Sequence, residues 1–380
     1  MLNFFPKIRP LAVISAIAVA AISVAPLVAQ AANPTEATFS GSGVRSHGVP
    51  IINAQGSTGH DGSTNQSENS DQNVGSNQPS IKLDDVAAES NWQKNQQQVG
   101  SRATTGTVSN PISFHKGGAV YSGNVAIYPV WVGTWTATRQ TLWNSVLSNL
   151  VTVLGASTSN TTMANQVFAT NASYFTSQAI AAPSLNWPQA AAPSAPLVAN
   201  GNISDAQVAT YISAAIKTGA VPAPAATGGL RPIYVFIGAN NTLLSSGFGT
   251  KYCGWHSYGT ISGTTTPYIA IQDFTSKFLS ACASQSPISP NGDAYVDAMA
   301  SVLVHEIDET LSDPLLNAWY DARGSENADK CAWTFGTTST TGGYKYNITE
   351  GGRKYLIQRN WLSSNVNKGD GTACTLADAL

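Results

Sequence analysis

The chain has 380 residues, of which 42% are hydrophobic and only 11% charged, and its formal net charge is -2. That length and apolar content can bury a full core in one large domain or two modest ones. The lack of basic excess excludes nucleic acid as a partner, because nothing would neutralise a phosphate backbone.

In chain order, Lys7 and Arg9 precede the apolar run LAVISAIAVAAISVAPLVAQAA, which ends in Ala29-Gln30-Ala31. This small-x-small ending is the pattern a signal peptidase accepts, so residues 1–31 read as a signal peptide. A membrane span needs about 20 apolar residues, which the run also meets. Pro26, the cleavage pattern and the polar chain that follows favour removal, and no later stretch is apolar enough to span. The expectation is a secreted, extracellular protein without a membrane partner once the leader is cleaved.

Residues 32–107 are rich in Ser, Gly, Asn and Gln, as in STGHDGSTNQSENSDQNVGSNQPS. Such a composition buries too little apolar surface to offset its ordering entropy, so a disordered linker is expected. His47 and His60 lie inside it with no carboxylate or cysteine cluster around them, and neither is assigned a metal role.

The globular domain is expected at residues 108–380. NVAIYPVWVGTW from Asn124, RPIYVFIGAN from Arg231 and TPYIAIQDF from Thr266 are β-branched and aromatic, and read as strands. Between them ATRQTLWNSVLSNLV from Ala137 and SDAQVATYISAAIKTG from Ser204 show helical spacing, the second opening on a Ser/Asp cap. The Pro/Ala-rich stretches at 183–196 and 221–226 read as loops. The fold class is therefore α/β or α+β: a mixed sheet with packed helices in a single domain.

Four cysteines, Cys253, Cys282, Cys331 and Cys374, point to disulfides in an exported chain. Three pairings are open, of which Cys253 with Cys282 and Cys331 with Cys374 closes two local loops. No CxxC knuckle supports thiolate-held zinc. His256, in CGWHS beside Cys253, reads as structural with a site-lining role left open, and His115 is assigned nothing. There is no GxSxG elbow, P-loop or dinucleotide fingerprint. Asn160, Asn171 and Asn347 open sequons that matter only in a eukaryotic host.

The last large helix opens at Asn291-Gly292-Asp293 and ends at Asp313-Pro314, because the residue before proline is pushed out of the helical region. Val296, Ala300, Leu303, Ile307 and Leu311 form its core stripe, with His305 and Glu309 roughly opposite. His305, Glu306, Asp308, Glu309 and Asp313 crowd its final turns. A solvated acidic helix end is the plain explanation. Against it, carboxylates at the negative end of the macrodipole are disfavoured by about 0.3–1 kcal/mol each. The nearest basic side chain downstream is Arg323, and the preceding turns are apolar on several sides.

HEIDE at 305–309 has the form HExxE, one ligand removed from the HExxH helix of zinc peptidases. Glu326-Asn327-Ala328-Asp329 follows at a distance that resembles the third-ligand helix of the thermolysin-like gluzincins. That resemblance implies His305, Glu309 and Glu326 as metal ligands, Glu306 as general base and Asp329 as the partner of the far ring nitrogen of His305. The ion would be Zn²⁺ or, with so many oxygen donors, another divalent cation.

FHKGGAVYSGNVAIYPVWVGTW from Phe114, CGWHS, YIAIQDF, LSDPLLNAWYD from Leu311, ENADKC and YNITEGGRKYLIQRNW from Tyr346 resemble, in the same order, the Exordium or phosphate-induced protein family. The resemblance covers nearly all of the chain after the linker and implies a secreted, cell-wall-associated protein linked to growth, without a settled activity. Two functions stand side by side. One is a metal-dependent hydrolase acting on peptides or cell-wall material; the other is a non-catalytic surface protein holding a structural cation or an acidic cluster.

Overall fold

The computed structural model describes Val49 and residues 112–155, 171–175, 178–180, 182–229, 231–285, 289–321, 324–362 and 374–375. The leader, His47, His60, Arg323, the sequon at Asn160 and all of the linker except Val49 lie outside the described residues.

A five-stranded mixed sheet organises the domain. Its strands are β1 (Asn124–Val132), β2 (Ser184–Asn186), β3 (Arg231–Gly238), β4 (Trp255–Ile261) and β5 (Thr264–Gln272), in the spatial order β2-β1-β3-β5-β4. The first four in that order run parallel, and β4 closes the edge antiparallel to β5. Strands β1 and β3 are buried along almost their whole length, as expected for parallel strands covered on both faces. The stretch at 183–196 is not all loop, since β2 forms there when Ser184 to Asn186 pair with Asn124 to Ala126. Three residues between prolines carry too little pattern to announce a strand.

Three principal helices are α1 (Ala137–Gly155), α2 (Asp205–Lys217) and α3 (Ala294–Ser312). Helix α2 starts at the expected Ser204, whose capping box with Gln207 satisfies first-turn amides. It covers one face of the sheet, where Tyr211 meets Phe236 of β3. Helix α3 lies on the opposite face with His256 of β4. The Asp293 carboxylate accepts from the amides of Tyr295 and Val296 at its start, and Asp313 caps its end. Every residue from Val296 to Ser312 is buried, so α3 is a central helix rather than a helix with one core stripe. A Cβ on Gly254, just before β4, would stand 2.5 Å from Val302 Cγ1, so only glycine lets α3 approach the sheet so closely there.

The two disulfides are Cys253–Cys282 and Cys331–Cys374, the local pairing. Asn171 donates to the carbonyl of Asp308 at 3.1 Å, and Asn347 donates to the carbonyls of Phe335 and Ile357 at 2.9 and 2.7 Å. Both asparagines are buried, so the folded domain offers neither as a glycan acceptor.

Arg139 of α1 ties the sheet to α3. Its guanidinium donates to both oxygens of Asp273 at 2.8 and 2.7 Å and also pairs with Asp293, the cap of α3. Asp273 is 1% exposed, so losing its counter-charge would strand a buried carboxylate. Arg139→Met is therefore expected to lower unfolding stability by about 3 kcal/mol, read from urea titration. A change below about 0.5 kcal/mol would show that the pair behaves like an exposed ion pair.

Candidate functional site

The acidic end of α3 is buried. Glu306, Asp308, Glu309 and Asp313 are at most 1% exposed, which rules out the solvated helix end. Two of them have ordinary structural tasks. Asp313 Oδ1 accepts from the amides of Asn317 and Ala318 at 2.6 and 2.7 Å, turning the chain after the helix. Asp308 joins a polar network in which Asn360 donates to its Oδ2 at 3.0 Å.

The others converge. Glu309 Oε1 lies 3.0 Å from His305 Nε2, and Glu309 Oε2 lies 3.4 Å from His256 Nδ1, so one carboxylate bridges two imidazoles. His256 Nδ1 is also 3.3 Å from Glu306 Oε2, while its Nε2 faces Glu326 Oε2 at 3.6 Å. Asp329 Oδ1 approaches His305 Nε2 at 3.4 Å, the same nitrogen that Glu309 meets and not the far one. His305 with Glu309 and Asp329, and His256 with Glu306 and Glu309, each place three donor atoms within 4.8 Å of one another.

Of the residues expected from the sequence, His305, Glu306, Glu309 and Asp329 enter these two groups, while Glu326 enters neither and reaches the cluster through His256. Two expectations change. Glu326 is not on a helix; it sits in a loop that ends in a single 3-10 turn at Asp329–Cys331. Gly324 at φ 84° and the Asp321 carboxylate accepting from the Ser325 amide favour a turn over a helix start. The loop is fixed to α3 by the Asp329 amide donating to Glu309 Oε1 at 2.9 Å and by Asn327 donating to Ser312 Oγ at 3.0 Å. Secondly, His256 is part of the cluster. Its partners lie some fifty positions downstream, and no local spacing links a histidine on an edge strand to a carboxylate on a helix.

Burial disfavours every charge here, and the cluster redistributes protons in response. Burial alone would lower the pKa of His256, but the Glu306 carboxylate it hydrogen-bonds and the adjacent Glu309 carboxylate overcome it and push the imidazole up to about 9. Burial raises Glu306 to about 7, with His256 opposing. His305 is held well above its ordinary value despite its burial, by Glu309 and Asp329. Burial and Asp329 work against the charge of Glu309, yet His305 and His256 together keep it below the ordinary carboxylate range. Glu326 is pushed well up by burial and then by the charge of Glu309.

Four carboxylates and two imidazoles are buried together, so carboxyl groups outnumber the imidazoles that can balance them, and part of the excess is met by protons held on Glu326 and Glu306. Neither ring nitrogen of His305 nor Glu309 Oε2 makes a well-directed hydrogen bond among the described residues, although Glu309 Oε1 and Asp329 Oδ1 stand 3.0 and 3.4 Å from His305 Nε2 and His256 Nδ1 stands 3.4 Å from Glu309 Oε2. Donor atoms close together but not aimed at one another suit a shared cation.

The phosphate-induced protein 1 conserved region matches residues 112–365. The chain belongs to the phosphate-induced protein 1 family. Protein EXORDIUM-like 3 of Arabidopsis thaliana is 27% identical over 281 residues, covering 66% of this chain and 79% of the relative. Protein EXORDIUM-like 5 of the same plant is 24% identical over 281 residues, covering 66% of this chain and 75% of the relative. No solved structure matches the chain. The family region contains all six cluster residues, His256, His305, Glu306, Glu309, Glu326 and Asp329, and leaves residue 49 outside it.

Proposed function

We propose that this phosphate-induced protein is a secreted, metal-dependent hydrolase of peptide-like substrates. The observation that carries the reading is the bridging of two buried histidines by Glu309, with Glu306 alongside and no well-directed hydrogen bond to the His305 ring among the described residues. His305 and Glu309 would hold the cation, completed by the carboxylates of the 324–331 loop, Glu326 and Asp329. The donor set of nitrogen and several oxygens suits zinc and, being hard, also manganese or ferrous iron. A cation bound there supplies Lewis acidity and lowers the pKa of a coordinated water. Glu306 would accept the proton of the attacking water, since it stands beside Glu309 and His256 in the cluster. His256, hydrogen-bonded to Glu306, orients that carboxylate. The leader ending at Ala31 and the two disulfides support export.

Complete burial of the cluster favours a second reading, a non-catalytic extracellular or cell-wall protein in which the same residues hold a structural cation or share protons. Metal analysis of the purified protein, followed by Glu306→Gln, separates the two. The hydrolase reading expects a bound divalent ion in both proteins and a loss of hydrolysis of about 10²–10⁴-fold in the variant. A cation retained in both with no hydrolysis in either would leave the structural reading.

A further inference from the structure

Val49 belongs to the polar, low-complexity stretch, yet it is 0% exposed and part of the same hydrophobic core as α3 and the sheet. Both of its backbone groups are engaged at the candidate site. Its amide donates to Glu306 Oε1 at 3.1 Å, and its carbonyl accepts from the Cys253 amide at 2.8 Å. Cys253 stands just before strand β4, whose outer edge pairs with no strand among the described residues, and such an edge invites an added peptide. We infer that the slot between Glu306 and Cys253 is a peptide-binding subsite that takes a peptide unit with a branched apolar side chain, and that the chain's own Val49 occupies it as an internal inhibitor.

The chemistry of the slot is specific. The donor and the acceptor of a single residue are satisfied by two different elements, the helix α3 and the chain before β4, which selects a peptide unit over a sugar or phosphate ligand. A carboxylate in the acceptor role is a strong partner for an amide, because a charge-assisted bond is roughly twice as strong as a neutral one. The side chain between them is fully desolvated, so a charged residue in its place would be rejected. The inhibitory consequence rests on the hydrolase reading: Glu306 Oε2 faces His256 and Oε1 faces Val49, so an attacking water has to compete with the Val49 amide for Oε1 while Val49 is seated. The binding slot itself does not depend on that reading.

Two measurements on the full mature chain test the inference. Hydrogen exchange of the wild-type protein is expected to show the Val49 amide slowed by about a hundredfold or more over its intrinsic rate, as for a buried, bonded amide. Exchange at the intrinsic rate would overturn the proposal. In the second, a fluorescent synthetic peptide of residues 45–53 is titrated into wild-type protein and the Val49→Asp variant. A tethered segment competes at an effective concentration of about millimolar, so the variant is expected to bind the peptide at least about tenfold more tightly than wild type. Equal affinity for the two proteins would also overturn it. If the peptide binds the variant but neither protein hydrolyses peptides, the slot stands and the hydrolase reading falls.

Discussion

Replacing Glu309 with glutamine is expected to weaken divalent-cation binding by about a hundredfold or more. Glu309 is the member of the cluster in contact with both imidazoles, so its loss opens both candidate donor groups at once. Glutamine keeps the volume and one carbonyl oxygen, which limits the damage to packing and isolates the charge. Calorimetric titration of zinc into chelator-treated protein would measure the change, and wild-type affinity in the variant would rule out His305 and Glu309 as the ion's seat. The pH dependence has a defined sign. His256, His305, Glu306 and Glu326 all hold protons more tightly than usual in the cation-free cluster, and an entering ion must displace some of them. Binding should tighten as pH rises from about 5 to 8, with proton release visible as a dependence of the heat on buffer ionisation.

The second large effect concerns Glu326. Its folded pKa is raised well above 4.5, by burial first and by Glu309 next. In the cation-free protein the folded state keeps a proton that the unfolded state gives up above about pH 4.5, so stability falls as pH rises beyond that point. Glu306 acts in the same sense, with a folded pKa of about 7. His256, raised to about 9, contributes stability that is complete below about 6.5 and lost as pH rises through 9. Glu309, being lowered, opposes the trend. Glu326→Gln removes the cost of holding that proton against a basic solvent and is expected to stabilise the chelated protein by about 1–3 kcal/mol at pH 8. The same substitution should destabilise the cation-loaded protein, because it withdraws a negative charge from beside the ion. Urea unfolding with and without chelator tests both signs. A Glu326→Gln variant that loses stability equally in both conditions would mean the carboxylate has a purely structural role and no ion stands near it.

Much of this architecture is visible in the sequence where the pattern is local. Strands β1, β3 and β5 are unbroken β-branched and aromatic runs, and α2 and α3 begin at a serine and an aspartate that cap them. The convergence of His305 and Glu309 follows from their four-residue spacing on one helix. What the sequence conceals is non-local. Strand β4, WHSYGTI, mixes glycine and hydroxyl residues and exists because β5 supplies a pairing edge, so His256 reads as a residue beside a disulfide until the sheet is assembled. The loop that carries Glu326 is shaped by hydrogen bonds to α3, which no propensity of its own dictates. Val49 is hidden for a different reason: a single buried residue leaves no trace in the composition of the long polar stretch around it.

The parallel pairing of β1 with β3 carries a kinetic consequence. Val125 meets Arg231 and Val132 meets Gly238 only after the whole intervening chain has been looped out, and β2 docks on the opposite side of β1 from within that same loop. Contacts so distant along the chain require loop closure before they return any free energy, which places such sheets among the slow folders, on the scale of milliseconds to seconds. Disulfide formation takes seconds to hours. The oxidation of Cys253 and Cys282 can therefore follow the assembly of the sheet, with a nearly native framework, rather than random encounter, selecting which thiols meet.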